Sequence, residues 1–227
     1  MSGLVRFYRS TIGKKIIMAV TGVIWVGFLI AHMAGNLQAF VGAEKLNAYG
    51  AMLKGPLAEF LWILRSVLIV AFVLHVTMAL QLARLSRAAR PIGYESTKPQ
   101  AATLASRTML AGGILVLVFL ILHILHFTTL NFDPAGYAGR LDAAGRPDVY
   151  GNLVASFRIW WVSLFYIVAM VAVGMHLFHG AWSAFRTMGH APRSVNPLKR
   201  RLALLLAAGL WLGFTIVPLA VLAGLVR

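Results

Sequence analysis

The sequence predicts an all-α membrane protein of five transmembrane helices, four of them bundled around paired histidines. Composition is the first observation: of 227 residues, 60% are hydrophobic and 12% charged, with a mean hydropathy of +0.81. Soluble domains carry about twice that share of charge. Length is the second. Five apolar stretches reach about 20 residues or more, enough at 1.5 Å per residue to cross about 30 Å of hydrocarbon. The third is histidine, which is costly in hydrocarbon without a partner or a ligand. His32, His75, His123 with His126, and His176 with His179 fall in four different apolar stretches.

The expected spans are 14–40, 57–84, 105–130, 158–186 and 201–225, within a single membrane domain covering 1–227. Span one follows Lys14 and Lys15 and is too long for a signal-peptide core, so it reads as a retained helix. Before it, Phe7 and Tyr8 between Arg6 and Arg9 suit either an interfacial turn or a simple anchored tail. Residues 41–56 and 131–157 read as outer loops, the second polar and turn-rich. Phe157, Trp160 and Trp161 look like an interface belt at the start of span four, and Pro218 is expected to kink span five. No internal repeat stands out.

Charge sets the expected topology. Fourteen of the 21 basic residues fall before span one, between spans two and three, and between spans four and five, accompanied by one acid, Glu95. Seven basic residues and five acids fall on the other side. The positive-inside rule then puts the N-terminus in the cytoplasm and the C-terminus outside. A net charge of +15 distributed at span ends argues against nucleic-acid binding. The basic loop 86–105 suits either a cytoplasmic partner or topology alone. The absence of cysteine excludes disulfides, thiol catalysis and iron–sulfur ligation by this chain.

Helical rise converts spacing into depth. His32 lies about 25 Å in from Lys15 and His123 about 24 Å in from Arg107. His75 lies about 14 Å from Arg84 and His176 about 15 Å from Arg186. Two level pairs, about 10 Å apart along the membrane normal, suit two haems, each held between histidines of facing helices. Four unrelated core histidines are the alternative. Zinc fits less well, because tetrahedral ligands must converge on one ion.

His126 and His179, one turn from the candidate ligands, are expected to contact propionates, quinone or water, or to be ordinary interface residues. Arg158 on the outer side, with Ser183 and Arg186 on the inner, are candidate propionate partners, though arginines there also snorkel to headgroups. Gly22, Gly27, Gly112, Gly113, Gly174 and Gly180 would permit close approach of helices or porphyrin.

The motifs S-T-I-G-K-K-I-I-M-A-V-T-G from Ser10, H-M-A-G-N-L-Q-A-F-V-G from His32, L-N-A-Y-G from Leu46, F-L-I-L-H from Phe119 and H-L-F-H-G-A-W-S-A-F-R-T-M-G from His176 carry a resemblance. Together they resemble the cytochrome b558-type membrane subunit of succinate dehydrogenase or fumarate reductase, across nearly the whole chain. The resemblance implies a five-helix anchor with two b haems in a bacterial inner membrane. It also implies a flavoprotein subunit and an iron–sulfur subunit on the cytoplasmic side, and electron exchange with quinone, more often menaquinone. It assigns His32 and His123 to the distal haem and His75 and His176 to the proximal one, and it favours His176 over His179.

Quinone is expected near the outer ends of spans one and two, with Asn36, Asn47, Tyr49 and Glu59 in reach. Some fumarate-reducing relatives have a glutamate, implicated in a compensating proton path, where this chain has Gly174; if the chain lacks such a path, menaquinone chemistry at the outer surface would be electrogenic. A di-haem cytochrome b of another quinone-linked system and a haem-free structural anchor are the competing readings.

Overall fold

The computed structural model describes residues 2–89, 108–187 and 197–227. Among the described residues, eight α-helices run in order: α1 (Gly3–Arg9), α2 (Thr11–Asn36), α3 (Ala43–Lys54), α4 (Ala58–Ala88), α5 (Met109–His123), α6 (Val149–Arg158), α7 (Trp160–Thr187) and α8 (Pro197–Leu222). A 3-10 turn, Leu37–Phe40, extends α2, and a π-helical turn, Ile124–Thr128, extends α5. Five of these rods are long and apolar enough to cross a membrane: α2 with its 3-10 turn, α4, α5 with its π turn, α7 and α8. No strand occurs among the described residues beyond one isolated bridge, Leu141 to Pro147.

The expected spans are recovered with shifted edges. Arg90, Glu95, Lys98, Arg107 and Arg193, with the loop surface expected around 90–105, lie outside the described residues.

Local chemistry sets the helix ends. Ser10 caps α2 by accepting from the Gly13 amide at 2.9 Å, and its own backbone is extended, which separates α1 from α2. The Lys14 ammonium crosses that elbow, donating to the Tyr8 carbonyl at 2.7 Å above the Tyr8 ring. The N-terminal segment is therefore a short helix with exposed Leu4, Phe7 and Tyr8.

Two outer loops are corrected. Residues 43–54 and 149–158 are helical. Gly42 starts α3 from φ +124, a backbone conformation that favours glycine, and Asp148 caps α6 through the Gly151 amide at 2.9 Å. Span four is corrected too, because Ile159 is extended and splits α6 from α7. Ser163 seals the break by donating to the Phe157 carbonyl at 2.6 Å. Phe157 faces the core and is only 6% exposed, while Trp160 and Trp161 remain on the outside. Phe157 therefore does not belong to the interface belt. Its periodicity partners Leu153 and Val154 face inward on an amphipathic helix.

The helices alternate in direction. Gln81, late in α4, donates to the Tyr8 hydroxyl at 3.2 Å, which puts the end of α4 beside the start of α2. The main packing seams are α7 on α8, α2 on α4, α2 on α7 and α5 on α7. An outer core unites Ala39, Leu46, Phe157, Val162, Tyr166 and Val221, so α3 and α6 cap the same end of the bundle. A second core, Leu177, Ala207 and Leu210, joins α7 and α8 with Val26, Leu29 and Met33 of α2 packed against it. Large apolar side chains elsewhere on the spans face outward, as expected where the surrounding solvent is hydrocarbon.

The cap is tied by one buried amide. Asn47, 2% exposed, donates to Asp142 at 3.2 Å and to Asp148 at 2.9 Å, and its oxygen accepts from the Tyr150 amide at 2.8 Å. Arg146 donates to Asp142 at 2.8 Å and grips Glu44 with both terminal nitrogens, at 2.9 and 2.6 Å. Hydrogen bonding to Arg146 holds the Glu44 and Asp142 carboxyls below their ordinary values. Burial alone would push Asp148 up, but donation from the Gly151 amide, Tyr137 and Asn47 holds it down as well.

The pH consequence follows from the sign. Carboxyls depressed on folding stabilise the cap above their unfolded pKa, and that contribution is lost as pH falls through the folded values. Loop 131–148 is expected to become protease-sensitive on acidification below the ordinary carboxylate range while the spans stay intact. Limited proteolysis across a pH series checks this.

Candidate functional site

Four of the seven histidines meet as two pairs. His32 of α2 and His123 of α5 have ring centroids 5.7 Å apart, and His75 of α4 and His176 of α7 have theirs 6.3 Å apart. Two metal–nitrogen bonds of about 2 Å, with the offset from nitrogen to ring centre on each side, would set centroids about 6 Å apart. Both pairs therefore stand at the spacing of a bis-imidazole site.

The helices that carry each pair do not pack on one another along their length. Neither α2 with α5 nor α4 with α7 forms a main seam of the bundle. The imidazoles of each pair meet between helices that are not themselves in contact along a seam. The partly open pocket beside His176, lined also by Thr108, Met109, Gly112, Ala172 and Met175, has a volume of only about 10 Å³.

Glycine brings the levels into register. A Cβ built on Gly22 would lie 3.4 Å from the His75 ring, and one on Gly113 would lie 3.7 Å from the His176 ring. Each glycine precedes the histidine of the other pair, His32 or His123, by ten residues, about 15 Å of helix. That exceeds the spacing of about 10 Å expected from charge positions. The repeated glycine-to-histidine interval on spans one and three was readable in the sequence and is the signal that depth arithmetic missed. Gly27, Gly112 and Gly180 face open space, and Gly174 lies against Trp211 of α8.

The ring nitrogens differ in their surroundings. Nδ1 of His75 lies 3.1 Å from the Met18 carbonyl and 3.3 Å from the Thr21 hydroxyl. A carbonyl only accepts, so Nδ1 carries the proton and Nε2 keeps its lone pair. Thr21 is a site residue that sequence reasoning did not single out. The Nδ1 of His176 is buried with no hydrogen-bond partner among the described residues. At the outer pair, Asn36 Nδ2 lies 3.4 Å from Nε2 of His32, so coordination there requires that amide to turn aside. Phe28 stacks on His32, and Phe119 stacks on His123.

The remaining candidates separate. His126 is 1% exposed, on the π turn, with one nitrogen 3.0 Å from the Tyr166 hydroxyl and the other 3.0 Å from Ser156. Both nitrogens are thus used within the protein. The π turn carries this ring into the corner between α6 and α7, where Ser156 and Tyr166 meet it. His179 lies 3.1 Å from Ser183, which engages that hydroxyl.

Arg158 ends α6, on the far side of the break from α7, and is exposed, as is Arg186. Of the outer group, Tyr49 packs on Gly35, next to Asn36, at 3.0 Å from a built Cβ. Asn47 is consumed by the cap, and Glu59 is exposed in the first turn of α4.

No family model, curated protein or solved structure matches this chain. The geometry therefore stands on its own. Two facing imidazole pairs, neighbouring glycines that leave the rings room and a fixed Nδ1 proton on His75 form a donor set suited to a bis-histidine haem iron. No group of three or more histidine, cysteine, aspartate or glutamate side chains converges among the described residues, as a tetrahedral zinc site would need.

Proposed function

We propose that the chain is the di-haem b membrane anchor of a succinate dehydrogenase or fumarate reductase, passing electrons between a cytoplasmic flavoprotein and iron–sulfur pair and a membrane quinone. The observation that carries the haem assignment is the meeting of His32 with His123 and of His75 with His176 across helices that do not otherwise pack. The particular soluble partners rest on the motif resemblance.

In this reading His75 and His176 hold the inner haem, and His32 and His123 the outer one. When bound, haem b supplies reversible one-electron iron chemistry. The chain's own residues do the rest. The Met18 carbonyl and Thr21 orient the His75 ring and raise its basicity as a ligand. Phe28 and Phe119, stacked on the outer rings, exclude water and fix ring rotation.

The basic starts of α2 and α8 and the basic ends of α4 and α7 would face the cytoplasm and offer a landing surface for the soluble subunits. Quinone would react at the opposite end, where Asn36 lies beside His32 and Tyr49 packs on the neighbouring Gly35. Asn47 supports that end through the cap, while Glu59 offers an exposed carboxylate.

Reduced-minus-oxidised absorbance of the purified chain is expected to show a b-type band, and purification under mild detergent is expected to retain flavin through the partner subunits. A b-type band with no flavin would favour another quinone-linked cytochrome. Absence of the band would leave a structural anchor.

A further inference from the structure

The proposal concerns what His126 does, and it rests on the haem reading only for its functional consequence. A chain of polar groups runs from α6 to the outer pair: the buried Asn152, Ser156, His126 and Tyr166, then the half-buried His123. Its direction can be followed from one end. Ser156 donates to the amide oxygen of Asn152 at 3.3 Å, which uses its single proton. Ser156 Oγ must then accept from Nε2–H of His126, 3.0 Å away. A neutral imidazole with its proton on Nε2 has its lone pair on Nδ1, which accepts from the Tyr166 hydroxyl at 3.0 Å. With its proton so used, the Tyr166 oxygen accepts from Nδ1–H of His123 at 3.4 Å. His123 is left with its lone pair on Nε2.

We infer that His126 is a positioning residue: through Tyr166 it fixes the tautomer of His123, so that Nε2 is the nitrogen free to bind a metal. The arrangement parallels that at the inner pair, where the Met18 carbonyl does the same for His75 directly. It also explains why a second histidine lies one turn beyond the ligand on α5, and why α6 packs beneath it. The links from Asn152 to Tyr166 are buried, and the last, from Tyr166 to His123, is partly buried.

Two measurements test it. In the full chain reconstituted in lipid with 15N-labelled histidine, solid-state NMR is expected to find His126 as the Nε2–H tautomer and His123 protonated at Nδ1. The reverse tautomer of His126 would overturn the proposal, and this readout does not depend on bound haem. In the haem-loaded protein, Tyr166→Phe removes the acceptor that raises the basicity of His123. The outer haem's midpoint potential is expected to rise while the inner one stays unchanged and haem content is kept. Ser156→Ala is expected to shift it the same way by less, and Ser163→Ala, buried nearby but outside the chain, not at all. An outer midpoint in Tyr166→Phe equal to that of Ser163→Ala would overturn the proposal. So would loss of one haem in His126→Ala with both retained in His123→Ala, which would make His126 the ligand. A wild-type chain that takes up no haem would defeat the underlying reading separately.

Discussion

His176→Ala is expected to leave one haem per chain, and His179→Ala to leave two. The two residues are one turn apart on α7, yet only His176 faces His75, with ring centroids 6.3 Å apart. His179 has Ser183 as its partner at 3.1 Å and, among the described residues, no opposing imidazole. If His75 and His176 together would hold a haem, losing either would remove half of the protein donors at that site. His75→Ala should match His176→Ala, and the double variant should be no worse than either single one, because the pair acts as a unit. Pyridine haemochrome assay per mole of purified chain reads the difference. Loss of haem in His179→Ala alone would reverse the assignment.

Asn47→Ala is expected to be the most damaging single change outside the histidines. The side chain is buried, and its amide links Asp142, Asp148 and the Tyr150 backbone. Truncation leaves two carboxylates and one backbone amide without this partner in a partly buried corner, at an expected cost of roughly 2–4 kcal/mol for the lost bonds. The effect should fall on the cap formed by α3, α6 and loop 131–148, with the five spans retained. Proteolysis of the loop and a lowered melting temperature with unchanged helical circular dichroism would show it. The haem-free chain should respond in the same way, which separates this role from cofactor binding.

The five spans were legible because an 18-residue apolar stretch has few alternatives to a membrane helix. The pairing of His32 with His123 and of His75 with His176 was legible because helical rise ties sequence spacing to depth. The two cap helices were hidden for a different reason. Leu46, Tyr49 and Leu53, and Val149, Leu153 and Phe157, do have helical spacing, but polar, glycine-containing surroundings disguised them as loop. The break at Ile159 carried no glycine or proline to mark it, so Phe157 was taken for an interface residue.

Asn47 was read as a quinone candidate because its partners lie about 100 residues away, at Asp142, Asp148 and Tyr150, and only the folded chain brings them together. The placing of His126 between α6 and α7 depends on a π turn, which leaves no local signature in sequence.

A potentiometric titration of the purified protein, followed by reduced-minus-oxidised absorbance, tests the central claim most directly. Two b-type components are expected, the outer one absent from His123→Ala and the inner one absent from His176→Ala. A single component, or two that both survive either substitution, would contradict the assignment of these four histidines to two haems.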